Sequence, residues 1–495
     1  MRLDDLLQGT GIQCPMESGA QEITGLCYDS RKVKKGDAFV CLKGLHTDGH
    51  IYAMDAVVRG AVAVIAEEDL ESARVTVLKA KDSRKALSTI AANYYGHPSK
   101  WIRVFGITGT NGKTTVSFMI KSCLKAEGQT CGLTGTISYQ VGDKEYEATY
   151  TTPESLDLQG IFAEIQKQEI SNCVMEVSSH ALQLGRVDDI EFDYGIFTNL
   201  TQDHMDFHKN REEYYQAKKK LFSLVKKGAI INIDDESGRQ LYQELGEEGT
   251  VVLISCSLKD KKADYYGEIL ETSERGSKLL LIYKGIELGV LTIHSPGIFS
   301  LYNGLVAAGC LHTAGISFSA IQKGLEDLKG VPGRFELIEN SKNMVVIVDY
   351  AHTPDALEKV LRTAAEIVKG RLICVFGCGG ERDVTKRPLM GKIAGSYSDY
   401  CIITSDNPRT ESQQQIATDI EGGLYETGCN YEIIEDRRKA IAKALSIYRK
   451  GDLILIAGKG HETYQIIGGS KTYFSDQETV RELIETTDRG KNESN

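Results

Sequence analysis

A run of apolar residues long enough to cross a bilayer is missing from this chain: none approaches the roughly 20 residues that a membrane helix needs. The opening residues, MRLDDLLQGTG, also lack the apolar core of a secretory signal. A cytoplasmic protein is therefore expected. Positive charge is scarce too. The net charge of -11 argues against a general binder of nucleic acid or membrane surfaces and leaves room only for a local basic cleft. Small molecules are the expected partners, and a monomer is the default. Twelve cysteines run from Cys14 to Cys429 without the density of a disulfide framework. Cys374 and Cys378 lack the second pair that would complete a zinc site, so reduced and mostly buried thiols are expected. What is present is size: 495 residues, 41% of them hydrophobic, suffice for about two to four domains with ample core.

The chain is organised around residues 101–115, WIRVFGITGTNGKTT, which read as a strand, a glycine loop and a helix start. Val104, Phe105 and Ile107 supply the apolar, β-favouring run. The loop departs from the usual GxxxxGK(S/T) pattern, because Ile107 stands where the first glycine would be and the glycines fall at Gly106, Gly109 and Gly112. The chemistry survives that departure. Glycines let amides approach phosphate oxygens, the helix start adds positive potential, Lys113 supplies a cation and the Thr114 hydroxyl suits Mg2+. Gly109, Thr110, Asn111, Gly112, Lys113, Thr114 and Thr115 are thus the expected contacts of a nucleoside triphosphate. The alternative is a tight strand-to-helix turn that happens to hold a lysine and a threonine.

Residues 1–98 mix short apolar runs with turn-rich stretches and read as a small α/β domain. Its loops at Asp29, Ser30 and Arg31 and over residues 43–50 are, by themselves, ordinary surface turns. HPSK at 97–100 reads as a linker, with Pro98 ending a helix over 86–95. Thr151 and Thr152 precede a helix beginning near Glu154, where anion binding and helix capping explain them equally well. A strand over 173–177 carries Glu176, a costly residue there unless it is paired or bound to metal; beside a phosphate loop the metal role is favoured. A strand over 194–199 runs into Asp203, His204, Asp206 and His208, and spacing does not choose between ligand and capping roles for either histidine. The lysines of YYQAKKKLF look like a solvated helix face. From about residue 334, strands over 345–348, 371–376, 400–404 and 453–457 alternate with helical stretches in a doubly wound pattern. Asp349 and His352 follow the first of these strands as either a strand cap and turn or a ligand pair, and Asp406 to Arg409 alone would be a turn.

GTNGKTT, YTTPES, MEVSSH, NLTQDHMDFH, the AK of QAKKKLF, GRFE, DYAHTPDAL, GCGGERDVTKRPLMG, SDNPRTE and AGKGHETYQ, in that order, resemble the Mur ligases, ATP-dependent amide-bond ligases of bacterial peptidoglycan precursor synthesis. The resemblance covers nearly the whole chain. It implies an α/β protein of three domains: a uridine-binding domain over 1–98, a central P-loop domain with a mostly parallel sheet over 99–333, and a Rossmann-like amino-acid-binding domain over 334–495. By resemblance, Lys113, Glu176, His204 and Lys218 carry catalysis, with Lys218 carbamylated because a carbamate, unlike an ammonium, can ligate Mg2+. One metal is implied near Thr114 and Glu176 and a second near Glu176, His204 and Lys218, while Asp349 and His352 fall on the adenine and ribose side of ATP.

The family's reaction begins with a substrate carboxylate attacking the γ-phosphate of ATP to give an acyl phosphate, which an amine then opens. The implied acceptor is UDP-MurNAc-L-Ala-D-Glu. Ser30, His46 and Thr47 match the uridine-binding positions, and Thr151, Thr152, Ser178 and Arg186 match those near the pyrophosphate and muramoyl end. Relatives often carry glutamine two places before that arginine, where this chain has Leu184. DNPR resembles the signature of members that add meso-diaminopimelate. The physics agrees: its far carboxylate suits the guanidinium fork of Arg409, helped by Arg382, whereas bound lysine would leave that fork unpaired. Asp406 and Glu462 are expected to face the far ammonium, with Asn407, Pro408 and Gly458 lining the pocket. A lysine-adding ligase and a P-loop ATPase without ligase activity are the alternatives. Closure of the domains on ATP is expected, since the amine and the acyl phosphate come from different domains.

Overall fold

Alternation of apolar side chains builds the first sheet of the computed structural model, which describes residues 1–44, 47–70, 75–201, 207–249 and 251–492. Strands Gly25–Cys27, Asp37–Val40, Ala63–Ala66 and Thr76–Lys79 pair in that order, all parallel. Ala38, Val40, Ala63 and Ile65 face one core with Leu87 and Ile90 of helix Ser83–Tyr95, while Phe39, Val64 and Ala66 face the other with Ala53 and Ala56. Helix Ser83–Tyr95 starts at Asp82, whose carboxylate accepts from the amides of Arg84 and Lys85. It ends at Tyr95, as expected from the sequence, with Gly96 at φ 73° as its cap, and Pro98 opens the 3-10 turn Pro98–Trp101.

This domain and the central one belong to a unit of residues 1–256 and 308–317, and the rest of the chain forms a second unit. In the central sheet, Leu253–Ser257, Val225–Asn232, Phe192–Phe197, Arg103–Thr108, Asn172–Glu176 and Cys131–Thr134 follow in spatial order with parallel pairing. Ser138–Val141 and Lys144–Glu147 extend it antiparallel. Register decides what meets at its carboxyl edge. Ile107 pairs with Glu176 and Thr108 with Phe197, so the glycine loop, Glu176 and the residues after Phe197 emerge side by side. Gly106 serves packing, not phosphate: a Cβ there would lie 2.6 Å from the Phe192 ring.

The second unit contains an antiparallel meander, Tyr265–Ser273, Gly276–Tyr283 and Ile286–Ile293, with helix Phe318–Asp327. Its larger sheet runs Glu336–Leu337, Val345–Asp349, Leu453–Ala457, Leu372–Phe376, Tyr400–Ile403 and Asn430–Ile433, parallel after the first pair. Both faces are covered: Ile347, Phe376, Ile403 and Leu455 point to one core, and Val346, Val375, Ile402 and Ile456 to the other. The Leu453–Ala457 strand is inserted between two earlier ones, which creates the crevice where such sheets bind ligands. The architecture is α/β throughout, with a small N-terminal domain, a central mostly parallel domain and a Rossmann-like C-terminal domain. Among the described residues no disulfide forms, and most of the cysteines are buried. Among the described residues no helix is long and apolar enough to cross a membrane.

Candidate active site

The glycine loop is shaped by contacts that leave no room for side chains. Gly109 sits at φ 144°, and a Cβ there would fall 1.9 Å from Thr198 Oγ1. Asn199, which sequence reasoning did not single out, clamps the loop: its carbonyl accepts from the Thr110 amide at 2.8 Å and its side-chain oxygen from the Asn111 amide at 3.1 Å. Gly112, at φ 87°, directly precedes helix Lys113–Ala126. Lys113 Nζ donates to the carbonyls of Gly109 and Thr110 at 2.9 and 2.8 Å. Thr114 and Thr115 are buried in the first turn, where amides lack intrahelical acceptors.

Glu176 is wholly buried, and its hydrogen-bond partners among the described residues are neutral. Its carboxylate accepts from Thr114 Oγ1 at 2.9 Å and from the amide and hydroxyl of Thr136, both at 3.0 Å. Gly135 must be bare, since a Cβ would lie 2.2 Å from Glu176 Oε1. Thr151 Oγ1 is 3.1 Å from Thr136 Oγ1; Thr152 donates to the Glu176 carbonyl at 2.8 Å and accepts from the Ser178 amide at 3.0 Å. Thus Thr151, Thr152 and Ser178 gather around the acid, together with Arg186, which donates to the Thr152 carbonyl at 3.0 Å. Sequence reasoning missed Thr136 and Gly135 because a turn GTI after a strand carries no distinguishing signal.

Composition alone reads the lysines of YYQAKKKLF as a solvated face, whereas the resemblance gives Lys218 a catalytic place, and the structure buries it. It is 1% exposed, donates to the Gly109 carbonyl at 2.8 Å and lies 4.5 Å from the Tyr214 ring centre. Tyr214, Lys218 and Leu221 share one face of helix Arg211–Ser223, while Lys220 is exposed on another. His208 is a core residue, with Nε2 at 3.0 Å from Ser179 Oγ and its ring against Phe207 and Tyr214. His204, with Asp203 and Asp206, lies outside the described residues, as does His46.

On the nucleotide-sugar side, Ser30 is buried in a turn capped by Asp29, and Thr47 is exposed, its carbonyl accepting from the Gly44 amide at 2.8 Å. Polar contacts join the first two domains, which the sequence did not reveal. Glu154 Oε2 pairs with Arg84 at 2.5 Å and Arg186 at 3.2 Å, Arg84 also donates to the Lys43 carbonyl at 2.9 Å, and Tyr28 donates to Asp157 at 2.5 Å. Burial holds Asp157 above the usual carboxylate range.

In the C-terminal domain, Asp349 ties two motifs together, accepting from the amides of Phe335 and Ala351, each at 2.7 Å. Burial raises it. Arg334 lies 5.2 Å from the Tyr350 ring centre and His461 4.9 Å from it; burial, reinforced by Arg334, pushes His461 down to about 4. His352 is exposed, with Nδ1 2.8 Å from the Tyr350 carbonyl.

The DNPR loop is held from several sides. Arg409 adopts φ 55°, its amide donates to Ile466 at 3.0 Å and its guanidinium to the Gly380 carbonyl at 2.6 Å. Glycines make the space: a Cβ on Gly379 would lie 3.2 Å from Arg409 Nη1, and one on Gly380 2.0 Å from the Pro408 carbonyl. Arg382 is exposed beside them, 3.8 Å from the same Gly379 position. Gly458, at φ 117°, would carry a Cβ 2.9 Å from Asp406 Oδ2. Asn407 donates to Glu462 at 2.9 Å, and Lys459, another residue absent from the sequence argument, reaches both. Behind the loop, the buried pair Arg437 and Asp476 spans 2.7 Å, and Arg437 donates to the Ala457 carbonyl at 3.0 Å.

Comparison with known proteins gives three family matches: Mur ligase family, catalytic domain, over residues 22–95; Mur ligase middle domain over 107–311; and Mur ligase, glutamate ligase domain, over 333–460. The chain is 46% identical over 484 residues to the UDP-N-acetylmuramoyl-L-alanyl-D-glutamate--2,6-diaminopimelate ligase of Clostridioides difficile (strain 630), covering 98% of this chain and 99% of that one. It is 45% identical over 490 residues to the like-named ligase of Syntrophomonas wolfei, with 98% and 99% covered. A solved structure bearing the same enzyme name superposes with a TM-score of 0.71 at 33% identity, covering 99% of each chain.

Proposed function

The chain belongs to the Mur ligase family, and on that premise we propose that it is the ATP-dependent ligase adding meso-2,6-diaminopimelate to the D-Glu of UDP-MurNAc-L-Ala-D-Glu in peptidoglycan precursor synthesis. The observation that carries the amino-acid choice is the DNPR loop, in which Arg409 is held on the Gly380 carbonyl beside Arg382. A guanidinium so fixed is prepared for a carboxylate fork. Residues 1–98 would take the uridine, 99–333 the ATP and acyl acceptor, and 334–495 the amino acid; a cytoplasmic location follows from those substrates.

The D-Glu carboxylate attacks the γ-phosphate of ATP, ADP leaves, and the amine of diaminopimelate opens the acyl phosphate, releasing phosphate. Lys113 and the first turn of its helix hold the phosphate oxygens and take up negative charge as it shifts. The buried Glu176 carboxylate, whose donors among the described residues are neutral, forms with the Thr114 hydroxyl beside it a set of hard oxygen ligands that fits Mg2+. Thr114 and Glu176 would hold one ion, and Glu176, His204 and a carbamylated Lys218 a second; when bound, Mg2+ neutralises phosphate charge. Thr151, Thr152, Ser178 and Arg186 position the sugar-nucleotide acid at the same edge, and Asp349 organises the turn bearing His352.

The test is ADP release by the purified protein with Mg2+, ATP and UDP-MurNAc-L-Ala-D-Glu, comparing meso-diaminopimelate, L-lysine and no amino acid. Turnover with diaminopimelate alone is expected, with Arg409→Ala losing about 100-fold or more in kcat/KM for it. Turnover with lysine overturns the pocket assignment, and ADP release indifferent to both amino acid and sugar nucleotide marks an ATPase.

A further inference from the structure

Lys459 is a charged side chain with no solvent exposure, set among the groups proposed to choose the amino acid. A buried ammonium is stable only where acceptors surround it. Its Nζ donates to Glu462 Oε2 at 3.0 Å and Asn407 Oδ1 at 3.2 Å, and lies 4.0 Å from Asp406 Oδ1. The two carboxylates assigned by resemblance to the substrate's far ammonium therefore already face an ammonium of the protein. Asn407 is the hub of the arrangement. Its amide nitrogen donates to Glu462 at 2.9 Å, its side-chain oxygen accepts from Lys459 and from the Ile466 amide at 3.0 Å, and its carbonyl is 3.5 Å from Arg409 Nη1.

We propose that Lys459 is a specificity-determining residue: a resident ammonium that engages the Asp406 and Glu462 pair, so that selection falls on the far carboxylate at Arg409. The inference rests on the reading of this loop as the amino-acid pocket. The far end of diaminopimelate is a zwitterion, whereas that of L-lysine is a lone ammonium. With Lys459 in place, Glu462 and Asp406 already face an ammonium at 3.0 and 4.0 Å, and the Arg409 guanidinium stands 3.5 Å from the Asn407 carbonyl of the same hub. A lone cation is opposed there, while a zwitterion satisfies the guanidinium and shares Glu462. Without the Lys459 charge, the carboxylates attract any ammonium and the carboxylate requirement relaxes. Because Lys459 acts through Asn407, Asp406 and Glu462, it is a positioning residue and not a catalytic one.

The experiment measures kcat/KM for meso-diaminopimelate and for L-lysine with the full-length protein, K459Q and K459R. K459Q keeps a donor toward Asn407 and Glu462 but removes the charge; K459R keeps the charge. The expected result is a fall of about tenfold or more in the diaminopimelate-to-lysine ratio for K459Q, carried by KM for the amino acids, with KM for ATP unchanged and the ratio retained in K459R. An unchanged ratio in K459Q, or one altered equally in K459R, overturns the inference. If K459Q fails to fold, a ratio in K459R shifted as far as tenfold overturns it and a retained ratio supports it. Absence of diaminopimelate-dependent turnover in the unmodified protein overturns the pocket reading itself, a result distinct from normal turnover with an unresponsive K459Q.

Discussion

At Glu176, two threonine hydroxyls and one amide share the charge of a buried carboxylate without cancelling it. Hydrogen bonds from neutral donors lower the desolvation cost of such a group, yet a nearby cation is what removes it. Elsewhere in the chain the same problem has the other solution: Asp476 is buried against the fork of Arg437 at 2.7 Å. Glu176 was legible in the sequence because a charged residue interrupts an apolar strand. Gly135 and Thr136 were not, because their role depends on the carboxylate arriving from a strand about 40 residues later. Gly135→Ala drives a methyl group into Glu176 Oε1, so ADP release is expected to fall about 100-fold or more, as a displacement of roughly 1 Å does at a reacting centre. Circular dichroism of the variant checks that the fold persists.

Helix Arg211–Ser223 carries the clearest difference between composition and structure. Its lysines read as solvent-facing, but the helical period turns Lys218 inward with Tyr214 and Leu221. There its ammonium caps the Gly109 carbonyl and so helps fix the loop. Lys218→Met retains the buried aliphatic stem and removes both the donor and the nitrogen that a carbamate requires. Activity is expected to drop about 100-fold or more while thermal unfolding stays close to that of the unmodified protein. Normal activity in this variant refutes the role proposed for Lys218. The loop helix, Lys113–Ala126, was readable from its glycines and lysine alone, since its start is local chemistry; the clamp by Asn199 was not, being a contact across neighbouring strands.

Global stability couples to pH through His461. Burial, with the Arg334 charge, holds its folded pKa down to about 4, below the unfolded value of about 6.5. The sign follows: as pH falls through 6.5 the unfolded chain takes up a proton that the folded one refuses, so stability is lost from about pH 6.5 toward 4. By pH 5 the loss is roughly 2 kcal/mol, and His461→Gln should lack it. Urea unfolding of both proteins at pH 7 and pH 5 checks this, and parallel pH dependence in the two contradicts it. At the same scale, the joint of Arg84, Glu154 and Arg186 shows how the first two domains share charged groups. By itself the sequence determined the α/β class, the glycine loop between strand and helix, the order of the motifs and the out-of-place carboxylate of Glu176, because each rests on local periodicity or on a residue type out of place. Tertiary structure alone decided the burial of Lys218, the clamp of Asn199, the Arg84 joint and the engagement of Asp406 and Glu462 with Lys459. Those depend on strand register and helix rotation, which bring residues far apart in the chain within hydrogen-bonding distance, and no local pattern encodes that distance.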